Sequence, residues 1–131
     1  MRGGPGLAED GGSAVVDFTL TSALLLFVFM AVFQLGLTLH VRNTLVSCAA
    51  EGARYGAREG ASPAQGAQRT RDLVTRTLSS RFAGDVTTST DTTAAGVRVV
   101  VVSVDAPIPI IGPLGPDDGL HVRGRAFAES Q

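Results

Sequence analysis

Lysine is absent from the 131 residues, and all 11 basic side chains are arginines, set against 12 acidic ones. Exclusive use of arginine points to a GC-rich codon bias and hence to a bacterial source. The resulting net charge of -1 excludes both a basic nucleic-acid binder and an acidic disordered tail. A single cysteine, Cys48, excludes an internal disulfide framework and any cysteine-cluster metal site. His40 and His121 lie far apart with no ligand spacing around them, which argues against zinc or iron and leaves no cofactor to expect. Glycine and proline, 16 and 6 residues, stay below the roughly 25% at which low-complexity disorder becomes the default. The length leaves room for one small domain or for a membrane segment carrying one, and none for two full-sized domains.

What the chain does have is a long uncharged run. Between Asp17 and Arg42 lie 24 residues without a formal charge, including Ala23 to Phe33, which are apolar throughout. As a helix this stretch is about 36 Å long, enough to cross a hydrocarbon core of about 30 Å. A buried helix of a soluble protein would need many other apolar helices around it, and the remaining sequence offers none. A removable secretory signal fits poorly too, because the apolar region exceeds roughly 15 residues and only Arg2 precedes it, against Glu9 and Asp10. Leu45-Val46-Ser47-Cys48 has the look of a lipoprotein box, but Arg42 and Asn43 separate it from the apolar core. A single transmembrane helix in contact with lipid is the reading that remains.

The mouth of that helix reads Gly12-Ser13-Ala14-Val15-Val16-Asp17-Phe18. A carboxylate at the start of an apolar span costs energy unless it is paired, so Asp17 is a candidate functional residue. A cut after Gly12 would make Ser13 the first residue and Asp17 the fifth. It would also create an α-amino group able to pair with Asp17 of a neighbouring helix or of the same one. The simpler alternative is that Asp17 marks the water interface.

Gly12 to Phe18, the apolar span, Val41-Arg42-Asn43 and Ala49-Ala50-Glu51-Gly52-Ala53-Arg54-Tyr55-Gly56-Ala57 together resemble the TadE-like family of tight-adherence pilus assembly pseudopilins. The resemblance implies cleavage after Gly12 by a prepilin peptidase, with Ser13, Asp17 and Phe18 completing the processing motif. It also implies a minor pseudopilin or assembly factor whose partners are other pilus subunits and the assembly machinery. The family usually carries Glu where this chain has Asp17, and its leaders are richer in basic residues. Arginine placement conflicts with the implied topology. Arg2 precedes the helix, while Arg42, Arg54 and Arg58 follow it, which by the positive-inside rule favours a cytoplasmic C-terminus. Processing requires a cytoplasmic N-terminus in the bacterial cytoplasmic membrane and an extracytoplasmic C-terminal domain, and that is the expected topology, since Arg54 and Arg58 lie near the limit of the counted window and the α-amino group adds a charge before the helix.

Beyond the membrane the helical pattern continues, with Val41, Leu45, Cys48, Gly52 and Tyr55 on one face. Gly52 and Gly56 have the small-xxx-small spacing that lets helix backbones approach closely. With Tyr55 they are the candidate helix-packing residues, suited to self- or hetero-association. The alternative is a helix that frays at Gly52 or Gly56.

Gly60-Ala61-Ser62-Pro63 breaks the helix, and Ser62 can cap a second one running from Ala64 to Phe82. Arg69, Arg71, Arg76 and Arg81 are scattered around it without interleaved aromatics, which reads as a solvated face rather than a nucleic-acid or lipid surface. Val86 to Thr92, Val97 to Val104 and Leu120 to Phe127 read as strands, with a turn at Ala94-Ala95-Gly96. Four consecutive valines, Val99 to Val102, predict a central strand covered on both faces. The prolines between Asp105 and Gly119 make that stretch an extended connection, on which Ile108, Ile110 and Ile111 fold back onto the domain or form a contact surface. Asp117-Asp118 reads as a turn, short of the ligands a calcium loop needs.

Nothing in these motifs supports catalysis, so an enzyme is not expected. The expected architecture is a bitopic membrane protein: a leader over 1–12, a transmembrane and juxtamembrane helix over 13–60, and a small α+β domain with an antiparallel sheet over 61–131. The competing class is an unprocessed, single-pass, membrane-anchored surface binding module unrelated to pili.

Overall fold

The computed structural model describes residues 7–109 and 119–128. Its elements are α1 (Leu7–Gly56), α2 (Pro63–Thr77), a short 3-10 turn (Ser80–Phe82), β1 (Asp85–Thr92), β2 (Arg98–Ala106) and β3 (Leu120–Phe127). The chain forms two compact units, Met1–Gly36 and Leu37–Gln131. The bitopic α+β layout and the antiparallel sheet are therefore observed. The last turns of α1 belong to the second unit, where they carry part of its core. Ile110, Ile111, Asp117 and Asp118, and the first half of the expected leader, lie outside the described residues.

In the first unit every described side chain from Asp10 to Phe33 is exposed. Leu24 to Phe29 present their apolar surface outward, and the rings of Phe29 and Phe33 stack with centroids 6.3 Å apart. α1 is the one helix among the described residues long and apolar enough to cross a membrane. Lipid is the solvent that suits such a surface.

In the second unit, Val41, Leu45 and Cys48 on α1 are buried on the face their spacing predicted, with Tyr55 half-buried, and the neighbouring Ala49 and Ala53 are buried too. They join Ala67 and Val74 of α2, Phe82, Val86 of β1, Val102, Val104 and Ala106 of β2, and Val122 of β3 in one core. The helices make one layer and the sheet the other, the two-layer solution for elements with one apolar face each.

Ser62 and Gln65 form a capping box: the Gln65 amide donates to Ser62 Oγ at 3.3 Å, and the Ser62 amide donates to Gln65 Oε1 at 2.9 Å. Pro63 follows at the first helical position, where its missing N–H costs nothing. α2 stops at Thr77 instead of reaching Phe82, and Phe82 enters the core from the 3-10 turn. Arg71 is half-buried and donates to the Val86 carbonyl at 2.8 Å, a structural tie from α2 to β1 where a solvated face was expected.

The sheet is a meander in the order β1-β2-β3, both pairs antiparallel. β2 is central, and Val99 to Val102 are all buried, as the valine run predicted. β1 and β2 are joined through Thr93 to Val97, with Gly96 at φ +80° and its amide donating to the Thr93 carbonyl at 2.8 Å. That left-handed position is the one a three-residue hairpin loop assigns to glycine.

Candidate functional site

The residues expected to form a processing motif sit in regular helix. Gly12, Ser13, Asp17 and Phe18 are all exposed in α1, and a Cβ built on Gly12 would meet nothing within 4 Å. Ser13 and Asp17 are one turn apart and share a face. Among the described residues no hydrogen bond or ion pair engages the Asp17 carboxylate. The neighbouring Thr19 hydroxyl satisfies itself on the Val15 carbonyl at 2.8 Å. Asp17 is thus a carboxylate available to a cation from another helix, at the entrance to a span of exposed apolar side chains.

Gly52 and Gly56 make their close approach to α2 of the same chain. A Cβ on Gly52 would overlap Thr70 Oγ1 and stand 2.7 Å from the Gly66 carbonyl oxygen; one on Gly56 would be 3.2 Å from Gly66 Cα. The reciprocal Cβ on Gly66 would be 2.6 Å from the Gly52 carbonyl. Three glycines therefore bring two helix backbones together, and Thr70, fully buried beside the seam, donates to the Gly66 carbonyl one turn earlier in α2 at 2.9 Å. Tyr55 lies to the side of this contact, with the Arg58 guanidinium 5.2 Å from its ring centroid. It opens onto a surface cavity of about 250 Å³ shared with Gln65, Gln68, Arg69 and Asp72. Sequence reading found Gly52 and Gly56 but missed Gly66, whose signal was a glycine set inside a capped helix.

A second close approach was also missed. Gly124, in the middle of β3, lies against the α1 backbone at Ala49 and Ala50, where any Cβ would overlap main-chain atoms. A glycine inside a strand is the mark of another backbone passing close by, and this one was readable in advance.

On the opposite sheet face, Asp105 pairs across β2 and β3 with His121. His121 Nδ1 bonds Asp105 Oδ1, and Arg123 Nε donates to His121 Nε2 at 2.9 Å. With Nε2 accepting from Arg123, the ring proton on Nδ1 is the one given to Asp105, an assignment that follows from the network. Both ring nitrogens are occupied, so the histidine holds the strand pair together rather than offering a free base. No group of three metal-ligating side chains occurs among the described residues.

No curated protein and no solved structure matches the chain. The family model described as TadE-like protein matches residues 12–54, about a third of the length, beginning at Gly12 and ending in the glycine-rich turn of α1. The segment from Gly12 to Arg54 is thus similar in sequence to that family.

Proposed function

We propose that the chain is a minor pseudopilin or assembly factor of a bacterial tight-adherence pilus, cut after Gly12 by a prepilin peptidase and acting by helix packing rather than by chemistry. The observation that carries this reading is the coincidence of two boundaries. The TadE-like match starts at Gly12, and the uncharged span starts immediately after Asp17. Cleavage there leaves the α-amino group of Ser13 at the head of an exposed apolar helix, with Asp17 one turn below. An amino group and a carboxylate on adjacent parallel helices attract most strongly where water is scarce, and their pairing would fix the axial stagger between subunits. In this reading the N-terminus is cytoplasmic, the α+β domain is extracytoplasmic, and other pilus subunits are the partners.

Intact-mass analysis of protein from membranes containing the peptidase tests the reading. A mature chain starting at Ser13 is expected; one starting at Met1 or Cys48 overturns it. Protease added to wall-stripped cells should digest the domain beyond residue 63, and protection there would reverse the topology. Asp17→Asn should leave cleavage intact but lower co-purification with pilus subunits, while Asp17→Glu should preserve it.

A further inference from the structure

The two edges of the sheet carry opposite charges. β1 bears Asp85 and Asp91 and no basic residue; β3 bears Arg123 and Arg125 and no acidic one. All four side chains lie on the face away from the helices, because their positions alternate with the core residues Val86, Val122 and Gly124. Each is exposed.

The register also shows which backbone groups are open. The Thr93 amide donates to the Val97 carbonyl, so every second residue from Asp85 to Thr93 bonds to β2, and Val86, Thr88, Thr90 and Thr92 point their amides and carbonyls outward. Arg71 closes the Val86 carbonyl, confirming that direction, and among the described residues nothing closes those of the three threonines. On β3 the Ala128 amide donates to the Arg98 carbonyl, so His121, Arg123, Arg125 and Phe127 point outward at the other edge. Neither edge strand contains proline, lysine or a bulge, and the charges each carries are of one sign, so they repel a like edge and not the opposite one.

We propose that these edges form an interface between copies of this chain, the β3 edge of one molecule pairing with the β1 edge of the next. Charge selects this arrangement over its rivals. Two β3 edges would bring Arg123 and Arg125 against each other, and two β1 edges would do the same with Asp85 and Asp91, so symmetric pairing is repelled and head-to-tail pairing is attracted. A head-to-tail contact does not close on itself after two copies; it propagates. Edge pairing needs no leader cleavage, so it stands or falls separately from the proposed function.

The test uses the full chain in mild detergent, in a Cys48→Ala background, treated with a short bismaleimide. Carrying both Ser89→Cys on β1 and Phe127→Cys on β3, the protein should give a ladder of dimers, trimers and higher species. Each single-cysteine protein alone should give no covalent dimer, and a mixture of the two should give dimers only. Dimers from either single-cysteine protein at the level of the mixture, or no ladder from the double variant, overturn the proposal. Adding Arg123→Glu and Arg125→Glu should lower the cross-linked fraction about tenfold. Adding Asp85→Arg and Asp91→Arg as well should restore the ladder, because the swapped edges again complement each other. An unchanged ladder in the arginine variant, or no recovery in the swapped one, would equally overturn it.

Discussion

Residues 10–33 and 37–56 belong to the same continuous helix, yet they solve different problems. The first stretch exposes every side chain, most of them apolar, while the second buries a stripe from Val41 to Ala53 and turns its arginines outward. Helical propensity is not what separates them, since the backbone is the same; the difference is what each face meets. In the first stretch large side chains are uniform around the axis, as a lipid solvent allows. In the second, small residues occupy the side where another backbone must fit. A glycine consequently means nothing structural at Gly36, where a Cβ would find open space, and a great deal at Gly52, where it would meet Thr70.

Substitution in the packed half should produce the largest losses. Gly124→Val drives a branched side chain into the α1 backbone at Ala49, and unfolding of the α+β domain followed by denaturant should show a loss of more than about 4 kcal/mol. Leu26→Arg, in the exposed half, should cost about 2.5 to 3.5 kcal/mol of membrane insertion and leave the domain's unfolding midpoint unchanged, a split visible by comparing membrane fractionation with denaturation. A shifted midpoint would mean that the two stretches are not independent.

Gly52→Ala should destabilise the domain by about 2 kcal/mol despite alanine's better helical propensity, because Thr70 and the Gly66 carbonyl must both retreat. Ser62→Ala removes one half of the capping box and should cost about 1 kcal/mol, read as a fall in thermal midpoint. The smallest effect belongs to Gly36→Ala, whose domain stability should stay within about 0.5 kcal/mol of the parent. If Gly36→Ala and Gly52→Ala behaved alike, the contrast between the halves would be one of solvent alone.

Much of this contrast was readable in the chain. The uncharged run announced the membrane stretch, the four-three spacing from Val41 to Tyr55 announced the buried stripe, and Leu120 to Phe127 was placed as a strand at its observed limits. Local rules suffice there because solvent and periodicity act on neighbours in sequence. The end of α2 was misplaced because the apolar spacing to Phe82 continues across a helix stop. Phe82 still reaches the core, but from a different backbone geometry. The start of the TadE-like match at Gly12 was legible as a pattern of residue types. The bond between Arg71 and Val86 was not, nor was the Asp105–His121–Arg123 chain, since both join residues whose proximity depends on tertiary placement and strand register.

The seat of α1 on Gly124 also has a consequence for biosynthesis. Gly124 leaves the ribosome 75 residues after Ala49, an interval of about 4 to 15 s at roughly 5–20 residues per second. Throughout that interval Leu45, Ala49 and Ala53 lack the strand that completes their core. A nascent chain halted before Leu120 would already hold its membrane helix while displaying an uncovered apolar stripe, the kind of surface that chaperones and proteases survey. Synthesis of β3 is therefore the event that covers this stripe.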